Sequence, residues 1–139
     1  MKQYVLLFEE FIFESHVKGE VLDPTPENIR IAIDSNYRYK IMYQGAREDV
    51  PHERSVDFYT MGTSSADNNL VRVFQTSGFS LSSPRGEWKI LRVDRIISMQ
   101  RTGMHIGTKP ISDYDARIPD FNKNDDRSMT DVQHIKRFD

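Results

Sequence analysis

The side chains best equipped for chemistry in this chain are cations set among apolar residues: Arg54, Arg72, Lys89, Arg92 and Arg95. The segment EWKILRVDRIISMQ, residues 87–100, threads Lys89, Arg92 and Arg95 through a run rich enough in Ile, Leu and Val to demand burial. Burying an unpaired charge is prohibitive, so each of these groups must meet an anion. Two sources are open. Asp57, Asp94 or Glu53 can neutralise one or two arginines from within the molecule. Alternatively, Arg72, Arg92 and Arg95 present planar forks to phosphate in a concave site, with Tyr43, Tyr59, Phe74 or Trp88 as stacking surfaces for a base. Both can hold at once.

Other chemistry lacks an anchor. The histidines His16, His52, His105 and His134 stand far apart, with no i, i+4 pair and no HExxH, so a metal site has no ligand spacing to build on. There are no cysteines, which removes disulfides and thiolate chemistry and suits a reducing cytoplasm. GTSSADNN, residues 62–69, lacks the lysine of a phosphate loop, and Ser64, Ser65 and Ser77 have no nucleophile-elbow context. Adjacent carboxylates such as Glu9/Glu10 and Asp125/Asp126 point apart rather than converge. The expectation is a protein that is not an enzyme and carries no cofactor.

The cations must be held by elements whose signals lie along the rest of the chain. Tyr4, Leu7, Phe8, Phe11 and Ile12 follow helical spacing over residues 4–12, and a strand is the alternative there. Thr25-Pro26-Glu27 has the form of a helix start: a hydroxyl cap, proline at the first helical position and an acid at the positive end of the dipole. That helix should end near Ser35 and Asn36. The period then becomes two. Tyr37, Tyr39, Ile41 and Tyr43 share one face of a strand, with Arg38, Lys40 and Met42 on the other. RSVDFYTM and LVRVFQT read as further strands joined by turn-rich loops. In the strand over 87–97, Arg92 shares a face with Trp88, Ile90, Asp94 and Ile96, while Lys89 and Arg95 share the other with Leu91 and Val93. Its length predicts a bend or bulge partway.

The fold class expected is mainly β (α+β): a small, strongly curved sheet or barrel preceded by short helices and followed by an extended polar tail. Residues 1–27 would be an amino-terminal helix and connector, 28–103 the β domain, and 104–139 the tail, where Val132, Ile135 and Phe138 recover helical spacing for a short terminal helix. At 139 residues there is room for one core. The longest apolar run near the start, VLLF, is followed at once by glutamates, so neither a signal peptide nor a membrane span is expected. Net charge is −2, but residues 36–103 hold 10 basic and 7 acidic residues, a positive module inside an acidic chain.

The stretches AIDSNYRYKIMYQG, ERSVDFYTMG, NNLVRVFQTSGFS and EWKILRVDRIISM, in that order, resemble the WYL-domain family, particularly its short phage-encoded members. The resemblance spans about residues 28–103, and the VDRI end with its preceding Trp-Lys is its most specific part. The tail segment IPDFNKNDDRSM is similar to the extension on the phage members. Three positions depart from the family pattern: the slot of the Trp-Tyr-Leu triplet reads LVRVF, Phe58 stands for a proline, and Leu91 for a phenylalanine. No helix-turn-helix precedes the domain, so duplex-specific DNA binding is not implied.

The resemblance implies an SH3/Sm-like barrel with a basic pocket for a nucleic-acid or nucleotide-like ligand. By position, Arg92 and Arg95 match arginines of the family's last strand, Arg54 that of its "R-x-V" element, Tyr43 the tyrosine of its first strand, and Arg72 an arginine of the short phage form. The expected function is a regulatory module of the bacterial cytoplasm that binds single-stranded nucleic acid or a nucleotide. Arg72, Arg92, Arg95, Arg54 and Lys89 would face phosphates, and Tyr43 or Trp88 would stack. The alternative is an interaction protein that binds and inhibits a host protein through its amino-terminal helix or acidic tail.

Overall fold

A computed structural model describes residues 15–106 and 129–136. The expected helix over 4–12 and most of the polar tail lie outside those residues. Among the described residues there is one α-helix and a seven-stranded antiparallel sheet. The strands are β1 (Val21–Leu22), β2 (Tyr37–Tyr43), β3 (His52–Thr63), β4 (Asn69–Gly78), β5 (Glu87–Arg92), β6 (Ile96–His105) and β7 (Asp131–Ile135); the helix α1 (Pro26–Asp34) lies between β1 and β2. The sheet runs β1-β6-β2-β3-β4-β5, with β7 also paired to β3.

Helix α1 forms where its local signals place it. The Thr25 hydroxyl accepts from the Asn28 backbone N–H, Pro26 opens the helix and Glu27 sits in the first turn. Ile29, Ala32 and Ile33 are buried against the sheet, joining Tyr39, Ile41, Val56, Phe58, Val71, Val73, Leu91 and Met99 in one apolar cluster. Burying such side chains, at roughly 1.5–3 kcal/mol each, is the main force holding helix to sheet. In β2 the predicted alternation holds from Tyr39 on: Tyr39, Ile41 and Tyr43 face the core. Its basic face is neutralised, because Arg38 donates to both carboxylate oxygens of buried Asp57 and Lys40 pairs with Glu53.

Two features depart from the sequence reading. The segment 87–100 is not one strand: a single 3₁₀ turn, Val93–Arg95, divides it, so β5 pairs with β4 while β6 pairs with β2. The turn resets the alternation, and the face assignments extrapolated through it fail: Leu91, Val93 and Ile96 are all buried. Nor do β5 and β6 share a ladder, so the sheet is curved back but open rather than a closed barrel. Two hydrogen bonds tie β5 and the turn to the end of β2, from the Arg92 N–H to the Tyr43 hydroxyl and from the Gln44 N–H to the Arg95 carbonyl.

The second departure is β7. The helical spacing of Val132 and Ile135 is overridden, because β3, twelve residues long, offers beyond β2 a further stretch of edge that β7 fills, with Thr60 opposite Ile135 and Thr63 opposite Asp131. Gly62 permits this approach, since a Cβ there would collide with the Asp131 carbonyl oxygen. Beyond the strand, Lys136 is buried and donates to the carbonyls of Ile33 at 2.6 Å and Ser35 at 2.5 Å, at the end of α1. His134 meets the Asp34 carboxylate at 2.7 Å.

Candidate ligand-binding site

The cations singled out in the sequence fall in two groups. Arg54 is buried on β3 and donates to Glu48 Oε2 at 3.0 Å and Gln75 Oε1 at 3.4 Å, with its guanidinium 4.7 Å from the centre of the Tyr43 ring. Burial works to raise the Glu48 carboxyl, but the Gly45 backbone, His52 and Arg54 together hold it below the usual value. Arg92 grips Asp94 through two hydrogen bonds, of 3.1 Å and 2.6 Å, on the surface. Lys89 meets Glu87 at 2.8 Å and the Ser80 carbonyl at 2.8 Å. Glu48, Asp94 and Glu87 therefore neutralise these cations from within.

Arg72 is buried on β4 with its guanidinium 6.0 Å from the Trp88 ring, and Trp88 itself packs edge-on against Tyr59 at 5.0 Å and Phe74 at 5.3 Å. The Tyr43 hydroxyl accepts from Arg92, and burial pushes its pKa up. Arg95, in the 3₁₀ turn, is half-exposed and makes no ion pair among the described residues. Of the three acids the sequence offered as internal partners, Asp94 serves Arg92, while Asp57 and Glu53 serve Arg38 and Lys40 instead.

A hollow with an arginine in its wall lies at the opposite end of β6. Between α1 and the paired ends of β2 and β6 lies a cavity of about 350 Å³ whose lining includes Arg101, Tyr37, His105, Arg30, Glu27 and Asp34. The Arg101 guanidinium sits 3.9 Å from the centre of the Tyr37 ring, and His105 meets the same ring edge-on at 5.3 Å. Register builds this cluster: Tyr37 lies opposite His105 and Tyr39 opposite Arg101. Arg101 has no ion pair among the described residues, and its Nε is buried without a hydrogen-bond partner. A cation–π contact offsets part of the cost of that burial, but leaves the guanidinium's hydrogen-bonding capacity unspent.

Neutral groups fix the inner wall. The Asn28 side-chain amide donates to the Asp23 carbonyl, which turns its Oδ1 toward His16 Nε2 at 3.2 Å. That makes Nε2–H the donor, so His16 Nδ1 accepts from the Tyr39 hydroxyl. Burial lowers the His16 pKa and pushes that of Tyr39 up to about 12, so both stay uncharged near neutrality. Sequence reasoning counted Arg101 within the basic segment without singling it out, because SMQRTG carries no apolar pattern around it. The only signal was the aromatic Tyr37, and its meaning depends on the β2–β6 register.

The fold and hollow together define a helix-backed, open antiparallel sheet with a cation-and-aromatic cavity under the helix. No protein-family model matches the chain, and no curated protein matches it. Among solved structures it is similar to the proteasome accessory factor B/C (PafBC) of Arthrobacter aurescens, with a TM-score of 0.52 at 15% identity, over 78% of this chain and 16% of that one. The chain thus spans 16% of PafBC's length, and the likeness is one of fold. No helix among the described residues is long and apolar enough to cross a membrane.

Proposed function

We propose that this protein is a non-enzymatic regulatory module of WYL-like fold that binds a phosphate-bearing ligand, nucleic acid or nucleotide, in the bacterial cytoplasm. The observation that carries this reading is the Arg101 guanidinium, laid on Tyr37 at the wall of the hollow and ion-paired to no acid among the described residues. Arginine's fork suits phosphate oxygens, and a guanidinium held over an aromatic ring is already positioned to meet them. The likeness to PafBC supports this reading at the level of fold. The reading moves the ligand away from the turn that carries Arg92 and Arg95 toward the other end of β6.

The test is a titration of labelled short single strands, duplexes and nucleotides into the full chain at about 50 mM and about 200 mM salt. Binding should weaken with salt, disappear in Arg101→Ala and survive in Arg95→Ala. Loss in Arg95→Ala with retention in Arg101→Ala would return the ligand to the turn. Absence of binding to every phosphate compound would end the proposal.

A further inference from the structure

We infer that the hollow under α1 is a site for one nucleoside monophosphate, free or at a strand end, and not for the interior of a nucleic-acid strand. The inference rests on the phosphate-ligand reading of the same hollow. Three observations carry it: size, the arrangement of charge and the ring geometry.

A volume of about 350 Å³ lies at the small end of the range for ligand pockets, with room for a single nucleotide. The lining is polarised. On the sheet side stand Arg101 and His105, from β6. On the helix side stand Glu27, Arg30 and Asp34, spaced i, i+3 and i+7, so successive turns of α1 present them along one face. Ionised carboxylates only accept hydrogen bonds, and they repel phosphate. A polyanion passing through the hollow would have to bring its flanking phosphates past Glu27 and Asp34. A nucleoside monophosphate has the complementary polarity, an anion at one end and hydroxyl or amino donors at the other. Its phosphate belongs on Arg101, and its donors on the α1 carboxylates.

Asp34 is partly committed to His134 at 2.7 Å, which leaves Glu27 as the freer acceptor. The ring geometry suits the base. Tyr37 is covered on its face by Arg101 and met edge-on by His105, an aromatic and guanidinium corner that offers a planar group a stacking partner.

Isothermal titration of the full chain with adenosine, the four common nucleoside 5′-monophosphates, ribose 5-phosphate, inorganic phosphate and an unphosphorylated hexanucleotide tests this. At least one monophosphate should bind about tenfold or more tightly than adenosine or inorganic phosphate, through its charge-assisted contacts. The hexanucleotide should bind more weakly than that monophosphate. Arg101→Met, which keeps the side-chain bulk, should abolish monophosphate binding. Glu27→Gln, on the exposed first turn, should weaken the monophosphate several-fold and leave inorganic phosphate unchanged. If the hexanucleotide binds and no monophosphate does, this inference falls while the phosphate-ligand reading stands; if nothing bearing phosphate binds, both fall. Monophosphate binding that survives Arg101→Met also overturns it, because the ligand would then lie elsewhere.

Discussion

The two ends of β6 handle positive charge in opposite ways. Around the 3₁₀ turn and the β3–β4–β5 edge, cations are matched to carboxylates: Arg92 to Asp94, Lys89 to Glu87, Arg54 to Glu48. Under α1 they are held by neutral groups: Arg101 lies on a phenol ring, and Lys136 on two backbone carbonyls. The first arrangement spends the charge on structure and leaves little for a guest. The second leaves the Arg101 fork bonded to no carboxylate among the described residues, open to an incoming anion, although Glu27 and Asp34 line the same hollow. Density of basic residues is therefore a poor guide to a binding site; what counts is which carboxylates the fold brings within reach.

The contrast can be broken, beginning with the largest expected effect. Glu48→Ala strips the acid from buried Arg54, and urea unfolding should show a loss of about 3 kcal/mol or more, the low end for half-broken buried pairs because Glu48 is only partly buried. A loss near zero would mean that the acid-matched end is not structural. Lys136 gives the opposite sign. Burial lowers its pKa from 10.5 to about 8, so between those values the unfolded chain holds a proton that the folded chain has released. Stability should accordingly rise with pH across that window, by up to about 3 kcal/mol, and the rise should vanish in Lys136→Met.

On the acid side, the lowered His16 pKa means that the unfolded chain takes up a proton first as pH falls through 6.5. Stability should decline there, with a slope that His16→Gln removes. Arg101→Met should leave the unfolding midpoint unchanged or raise it, since no acid among the described residues loses an ion pair; a clear destabilisation would make Arg101 a structural residue. Arg92→Ala, at an exposed pair, should not move the melting temperature measurably.

The parts of this fold that were legible in the sequence are those governed by near neighbours. Thr25, Pro26 and Glu27 announced α1 because a cap is a contact over three residues. Tyr39, Ile41 and Tyr43 announced β2 because alternation is local, and GTSSADNN closed as a turn, with Asp67 at positive φ. The break in residues 87–100 was visible as excess length, but not that it would send the chain across to the other end of the sheet. Strand β7 was invisible for a different reason: the spacing of Val132 and Ile135 favours a helix, and only the open edge of β3 decides otherwise. Arg101 belongs with β7, since the ring it lies on comes from a strand distant in sequence.

The placement of β7 also has a consequence in time. Its partners on β3 and at the end of α1 are synthesised far ahead of it, so a growing chain displays an unmatched strand edge and two bare carbonyls, those of Ile33 and Ser35, until residues 131–136 arrive. Contacts between segments so widely separated close slowly. Through that interval the nascent protein is vulnerable to pairing with a neighbour's strand, and the last strand serves as the stopper that ends the exposure.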